Sequence, residues 1–174
     1  PASAENLVIS EIHYHPSEPV AAEEIAISTD QDDYEFIELL NISGQNVNLT
    51  GVHFSTGIGF AFADNTILAS GGRVVLVKDP EAFAVRYGNG VAIGGEYSGN
   101  LSNSDDFISL SLTGVGTLHS LSYTDDDPWP TQPDVSGYSI ILLDPSTNPD
   151  SALPENWGTH SNLGGGPGIA DMPQ

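Results

Sequence analysis

Glu11, His13 and His15 stand at alternate positions in an apolar stretch, so an extended backbone projects all three side chains from one face. A His-x-His pair beside a carboxylate is a zinc-type donor set, although Pro16 follows at once and a solvated strand end has the same spelling. Two acidic runs suit a harder cation. Asp30, Asp32, Asp33 and Glu35 precede one predicted strand, and Asp125, Asp126 and Asp127 follow another. Calcium takes about six to eight oxygens from such loops, and crowded like charges are eased by a counter-ion. Neither run has EF-hand or nonapeptide spacing, and a solvated loop with its charges pointing apart is the equal alternative. Trp129, held between Pro128 and Pro130, is a candidate ligand contact, together with Tyr97 and Tyr14 at predicted strand ends. Flat aromatic faces of this kind stack on sugar rings. Trp157, just after Pro154, Glu155 and Asn156, is expected instead to plug the terminal loop against the core.

Catalytic spelling is absent: there is no nucleophile elbow, Walker loop, zincin helix or dinucleotide fingerprint. Gly57-Ile58-Gly59 and Gly114-Val115-Gly116 are turn glycines with no helix start behind them. Carboxylates are numerous enough to pair by chance, so their count proves no acid/base chemistry. The enzyme reading that is left is a hydrolase using Glu11, Glu38 and the histidines.

Acidic residues number 24 against three cations, Arg73, Lys78 and Arg86, for a formal charge of −21. Binding a nucleic-acid backbone or an anionic bilayer requires clustered Lys and Arg, so nucleic acid and membrane surfaces are excluded as partners. Such a charge is tolerated best where salt or divalent ions screen it, which points to a secreted or cell-surface location in a saline medium. No cysteine is present, so disulfides and thiolate chemistry drop out. The longest apolar runs, at 74–77 and 140–143, fall far short of the roughly 18 residues a membrane span needs. A start at Pro1 without a leader suggests a piece of a larger multidomain polypeptide.

Short β-branched and aromatic stretches alternate with Gly, Asn, Asp, Ser and Pro, which predicts an antiparallel sandwich. Strands are expected near 6–14, 34–41, 51–55, 59–62, 72–78, 92–97, 106–112, 117–123 and 137–143. Ile37 and Leu39 should face the core, as should Ile108, Leu110 and Leu112, which alternate with Ser109 and Ser111. One helix is expected over 80–87, with Asp79 as its cap, Pro80 in its first turn and Gly88 closing it; Phe83 and Tyr87 share a face. The stretch 19–27 suggests a second short helix. Gly164-Gly165-Gly166-Pro167-Gly168 reads as a flexible exit, so the expectation is one domain over 1–163, extended from about 124, and a Gly/Pro-rich tail over 164–174.

The order of Val8-Ile9-Ser10-Glu11-Ile12, Tyr34-Glu35-Phe36-Ile37-Glu38-Leu39-Leu40-Asn41 and Leu49-Thr50-Gly51-Val52-His53-Phe54 resembles the lamin-tail domain family in its bacterial form. The resemblance continues through Phe60-Ala61-Phe62, 66–77 and Leu101-Ser102-Asn103-Ser104-Asp105-Asp106-Phe107, covering about 6–124. The segments 127–130 and 148–157 resemble an extension seen in bacterial members. The resemblance implies an all-β, immunoglobulin-like sandwich used as a module of large secreted or surface proteins, with no catalytic motif to transfer. The chromatin contacts of animal members do not carry over to a chain without a rod and with almost no cations.

The sequence therefore reads as a non-catalytic accessory module that binds carbohydrate or extracellular matrix, polysaccharide or extracellular protein, with calcium as the one cofactor expected. A structural spacer is the close alternative.

Overall fold

The computed structural model describes residues 1–174, apart from the side chain of Val135. Twelve strands carry the fold: β1 (Leu7–His13), β2 (Phe36–Asn41), β3 (Val47–Asn48), β4 (Val52–Thr56), β5 (Phe60–Ala61), β6 (Ile67–Leu68), β7 (Arg73–Val77), β8 (Ile93–Glu96), β9 (Asp105–Leu112), β10 (Gly116–Thr124), β11 (Ile140–Leu142) and β12 (Trp157–Thr159). A six-stranded sheet runs β12-β11-β1-β2-β7-β8, a four-stranded sheet runs β10-β9-β4-β5, and β3 pairs with β6. Nine expected strands are present within a few residues. The short β3, β6 and β12 lack the length for a period-two pattern to emerge.

The two larger sheets enclose one core. Ile12, Ile37, Leu39 and Leu76 meet Val52, Phe54, Ile108, Leu110 and Leu121 in a single buried cluster. The inward faces expected for β2 and β9 are those observed, because alternate side chains of a strand leave on opposite sides. Burial in β2 extends to both faces: all six of its residues are buried, as are all seven of β1.

Two coverings account for the second buried face. One is the helix α2 (Pro80–Tyr87), introduced after α1 (Ala22–Ile25) and before α3 (Gln132–Ser136). The Asp79 carboxylate accepts from the amides of Glu81 and Ala82, and Gly88 ends the helix with φ of 81°, a backbone state that glycine adopts without a Cβ penalty. Phe83 and Tyr87 project together onto Phe36, with ring centroids 5.9 and 5.5 Å away and nearly perpendicular planes. Burying Phe83 this way contributes about 2 kcal/mol. Because α2 crosses from β7 to β8, those two strands pair in parallel, unlike the rest of the sheet.

The other covering is the C-terminal segment, and here the expected flexible exit gives way to a docked strap. Gly164 N donates to Gly137 O, Ser161 N to Met172 O and Gln174 N to Thr159 O, while His160 bridges to Pro173. The 19–27 stretch forms only the one-turn α1, which buries none of its residues. Among the described residues, no helix is long and apolar enough to cross a membrane.

Candidate functional site

The ladder between β1 and β2 places Glu11 opposite Glu38, just after an irregularity between Ile9 and Glu11. Both carboxylates are fully buried. Like charges directly across a ladder repel, and each buried carboxylate also loses its hydration, so the surroundings must compensate. They do so from three directions. Glu11 Oε1 accepts from the Ser139 hydroxyl, just before β11, and from Gly166 N at 2.9 Å. Glu38 accepts from Ser10 Oγ at 2.6 Å and from Gly168 N at 2.7 Å. Arg73, opening β7, bonds Glu38 Oε1 and also reaches Asp171 Oδ2 at 2.8 Å.

Burial dominates the electrostatics. It pushes the Glu11 carboxyl up to about 8, against the lowering influence of Ser139 and Gly166. Burial raises Glu38 as well, with Arg73 opposing it, and raises Asp171 in the same way. His160, which enters the cluster just after β12, is held below its usual range by burial.

Glu11, His160 and Asp171 are the only group of three or more potential metal ligands that converges among the described residues, with one ligand atom from each within 4.8 Å of the others. Glu11 was legible as a donor. His160 and Asp171 carried no signal, because each acquires its meaning from a contact with a strand near the opposite end of the chain.

The expected Glu11, His13 and His15 set is not assembled. His13 is fully buried; its Nε2 lies 3.1 Å from Gly137 O and its Nδ1 3.2 Å from the Tyr87 hydroxyl, so neither ring nitrogen is free. Burial pushes His13 down to about 3. His15 turns away to Asp134, 3.0 Å distant.

The acidic runs are used structurally. Asp30 caps the turn at Gln31–Tyr34 by accepting from Asp32 N, Asp33 accepts from Ser28 Oγ at 2.6 Å, and Asp32 accepts from Asn103 Nδ2 at 3.2 Å. Glu35 is buried, accepting from the Tyr97 hydroxyl at 2.8 Å and Leu101 N at 3.0 Å; burial pushes it up to about 8. Asp125 donates its amide to Ser104 O, while Asp126 and Asp127 are exposed. Neither run brings three carboxylates together among the described residues.

The aromatic candidates are corrected by burial. Trp129, Tyr97 and Tyr14 are 6%, 2% and 0% exposed, so none offers an open ring face for a sugar. Trp129 lies against Trp157, centroids 6.0 Å apart, and Tyr14 stacks on Tyr123 at 4.5 Å. Between its two prolines, Trp129 packs inward as part of the main core cluster. Trp157 is the plug it was expected to be, with Nε1 donating to Ser151 O at 2.9 Å.

A groove of about 540 Å³ opens where β2 and β11 end and the strap crosses, with Leu40, Ile42, Leu143 and Pro145 among its walls and Arg73 and Asp171 at one side. Nothing in the sequence marked this place, since its walls come from four separated segments.

Two sheets closed over one core, with a covered β1–β2 ladder, fit the comparison with known families: residues 1–148 match the family described as Lamin Tail Domain. The chain belongs to the lamin tail domain family. A lamin tail domain is an immunoglobulin-like, non-catalytic module, and the observed sandwich agrees with that class. Comparison with curated proteins returns no match. The match to the lamin tail domain ends at Asn148, so the strap that completes the buried cluster lies outside the matched residues.

Proposed function

We propose that this lamin tail domain is a non-catalytic recognition module of a larger secreted or cell-surface bacterial protein, and that it engages an extracellular polypeptide. The observation that carries this reading is the groove at the ends of β2 and β11. Its walls are largely aliphatic and contain no aromatic ring, which suits the side chains of an extended peptide better than the stacking of a sugar. Exposed Asp144 and Ser146 in its lining supply hydrogen-bonding groups. A net charge of −21 favours a neutral or basic partner and disfavours polyanions that bring no bridging cation.

Carbohydrate binding is a narrower version of the same reading, since with Trp129, Tyr97 and Tyr14 inside it would depend on polar groups alone. Calcium enters as a counter-ion for the acidic loops at 30–35 and 125–127. The spacer reading is supported by a different feature, the strap that locks the end of the chain onto the sheet and stiffens the body.

Panning the purified domain against a displayed random-peptide library, in parallel with a glycan array, tests the proposal. Enrichment of aliphatic, basic peptides whose binding is lost in a folded Ser146→Trp variant is the expected result; Ser146 is exposed at the groove margin. Peptides that bind the variant equally well, glycan retention alone, or no retention by either library would overturn it.

A further inference from the structure

Beneath the strap, Oε2 of Glu11, Nε2 of His160 and Oδ1 of Asp171 are buried without a hydrogen-bond partner among the described residues. A buried polar atom that has lost its water and gained no partner is destabilising, so three in one small place call for an occupant. Glu11 and His160 are fully buried, and the Asp171 side chain is 5% exposed. Only glycine lets the strap backbone come this close to these groups: a Cβ on Gly165 would come within 2.2 Å of Glu11 Oε1, and one on Gly166 within 2.6 Å of His160 Nε2. Arg73 bonds Glu38 and Asp171, which leaves Glu11 without a cationic partner.

We propose that Glu11, His160 and Asp171 bind a divalent transition-metal ion that clamps the C-terminal strap to β1. The donors decide the class of ion. Calcium and magnesium favour all-oxygen shells, whereas one imidazole with two carboxylates suits zinc and its first-row neighbours. Three protein ligands leave a position for water, as in open zinc sites.

The ring nitrogen chemistry makes a sharp demand. Nδ1 of His160 accepts from Asn162 N at 2.9 Å, so the neutral metal-free ring carries its proton on Nε2. Metal at Nε2 requires that proton to leave and Nδ1 to gain one, which keeps the ring neutral and turns the Asn162 amide away. The alternative occupant, a water, accepts from Nε2–H and donates to both carboxylates, leaving the tautomer as it is.

Zinc chloride titrated into the chelator-treated whole chain, followed by calorimetry, melting temperature and nitrogen-resolved histidine NMR, separates the two. The expected result is one saturable ion per chain, a melting temperature raised by several degrees, and a shift of the His160 proton from Nε2 to Nδ1. His160→Gln and Asp171→Asn should each abolish the one-to-one binding, while His15→Ala, which removes a half-buried histidine paired with Asp134 away from the cluster, leaves it intact. Where one of the first two fails to fold, the other carries the test, and the NMR reading of the unmodified chain needs neither. Absence of saturable binding, binding unaffected by both substitutions, or a His160 ring that keeps its proton on Nε2 at saturation would overturn the metal and leave water as the occupant.

Discussion

Glu11 and Glu38 face each other across the β1–β2 ladder, and each accepts a backbone amide from the same C-terminal strap, Glu11 from Gly166 and Glu38 from Gly168. Two carboxylates in this register oppose pairing of the central strands. The strap therefore stabilises the sheet it covers, and the buried cluster and the docked terminus are one arrangement.

Arg73 is the only cation bonded to this cluster among the described residues, and its removal leaves Glu38 and Asp171 buried with reduced compensation. Arg73→Met should lower stability by about 3 to 5 kcal/mol. Adding Glu38→Gln should recover part of that loss, because the neutral amide no longer needs the guanidinium. Urea unfolding of the two single variants and the double variant measures the coupling; strictly additive losses would refute it.

Trp129 packs against Trp157 in the main core cluster. Trp129→Ala should cost about 3 to 5 kcal/mol through the cavity left behind. The shift in the urea midpoint is the check, and an unchanged midpoint would return Trp129 to the role of an exposed binding platform.

Glu35 gives the fold a pH dependence whose sign follows from burial. Its carboxyl is raised to about 8 from an unfolded value of 4.5, so its contribution is complete below 4.5 and is lost as pH rises through 8. Between pH 7 and pH 9 that loss amounts to about 1 kcal/mol. Glu11 adds a loss of the same sign over the same range. Glu35→Gln keeps an acceptor for Tyr97 and Leu101 but cannot ionise, so unfolding at the two pH values should differ less in this variant than in the unmodified chain. An equal difference in both would show that Glu35 does not titrate as a buried acid.

Much of the sandwich was legible because its signals are local. The alternation of Ile108, Leu110 and Leu112 with serines, and the Asp79-Pro80 start of α2, each specify an element within one short window. The cluster was not legible for the converse reason. Gly166 meets Glu11 across 155 positions, and glycine suits both a linker and a backbone that must approach a side chain without a Cβ. The acidic runs were ambiguous in the sequence because a carboxylate that caps a turn, as Asp30 does, has the same spelling as one that holds a cation. Proline-flanked Trp129 suggested display, yet rigidity presents a ring inward as readily as outward.

Hydrogen exchange of the Gly166 and Gly168 amides tests most directly whether the strap is part of the fold. With both amides bonded to buried carboxylates, the prediction is protection comparable to that of β1 and β2, lost together with theirs as denaturant is added. Exchange of both glycines at the rate of an unstructured peptide, while β1 and β2 stay protected, would contradict it.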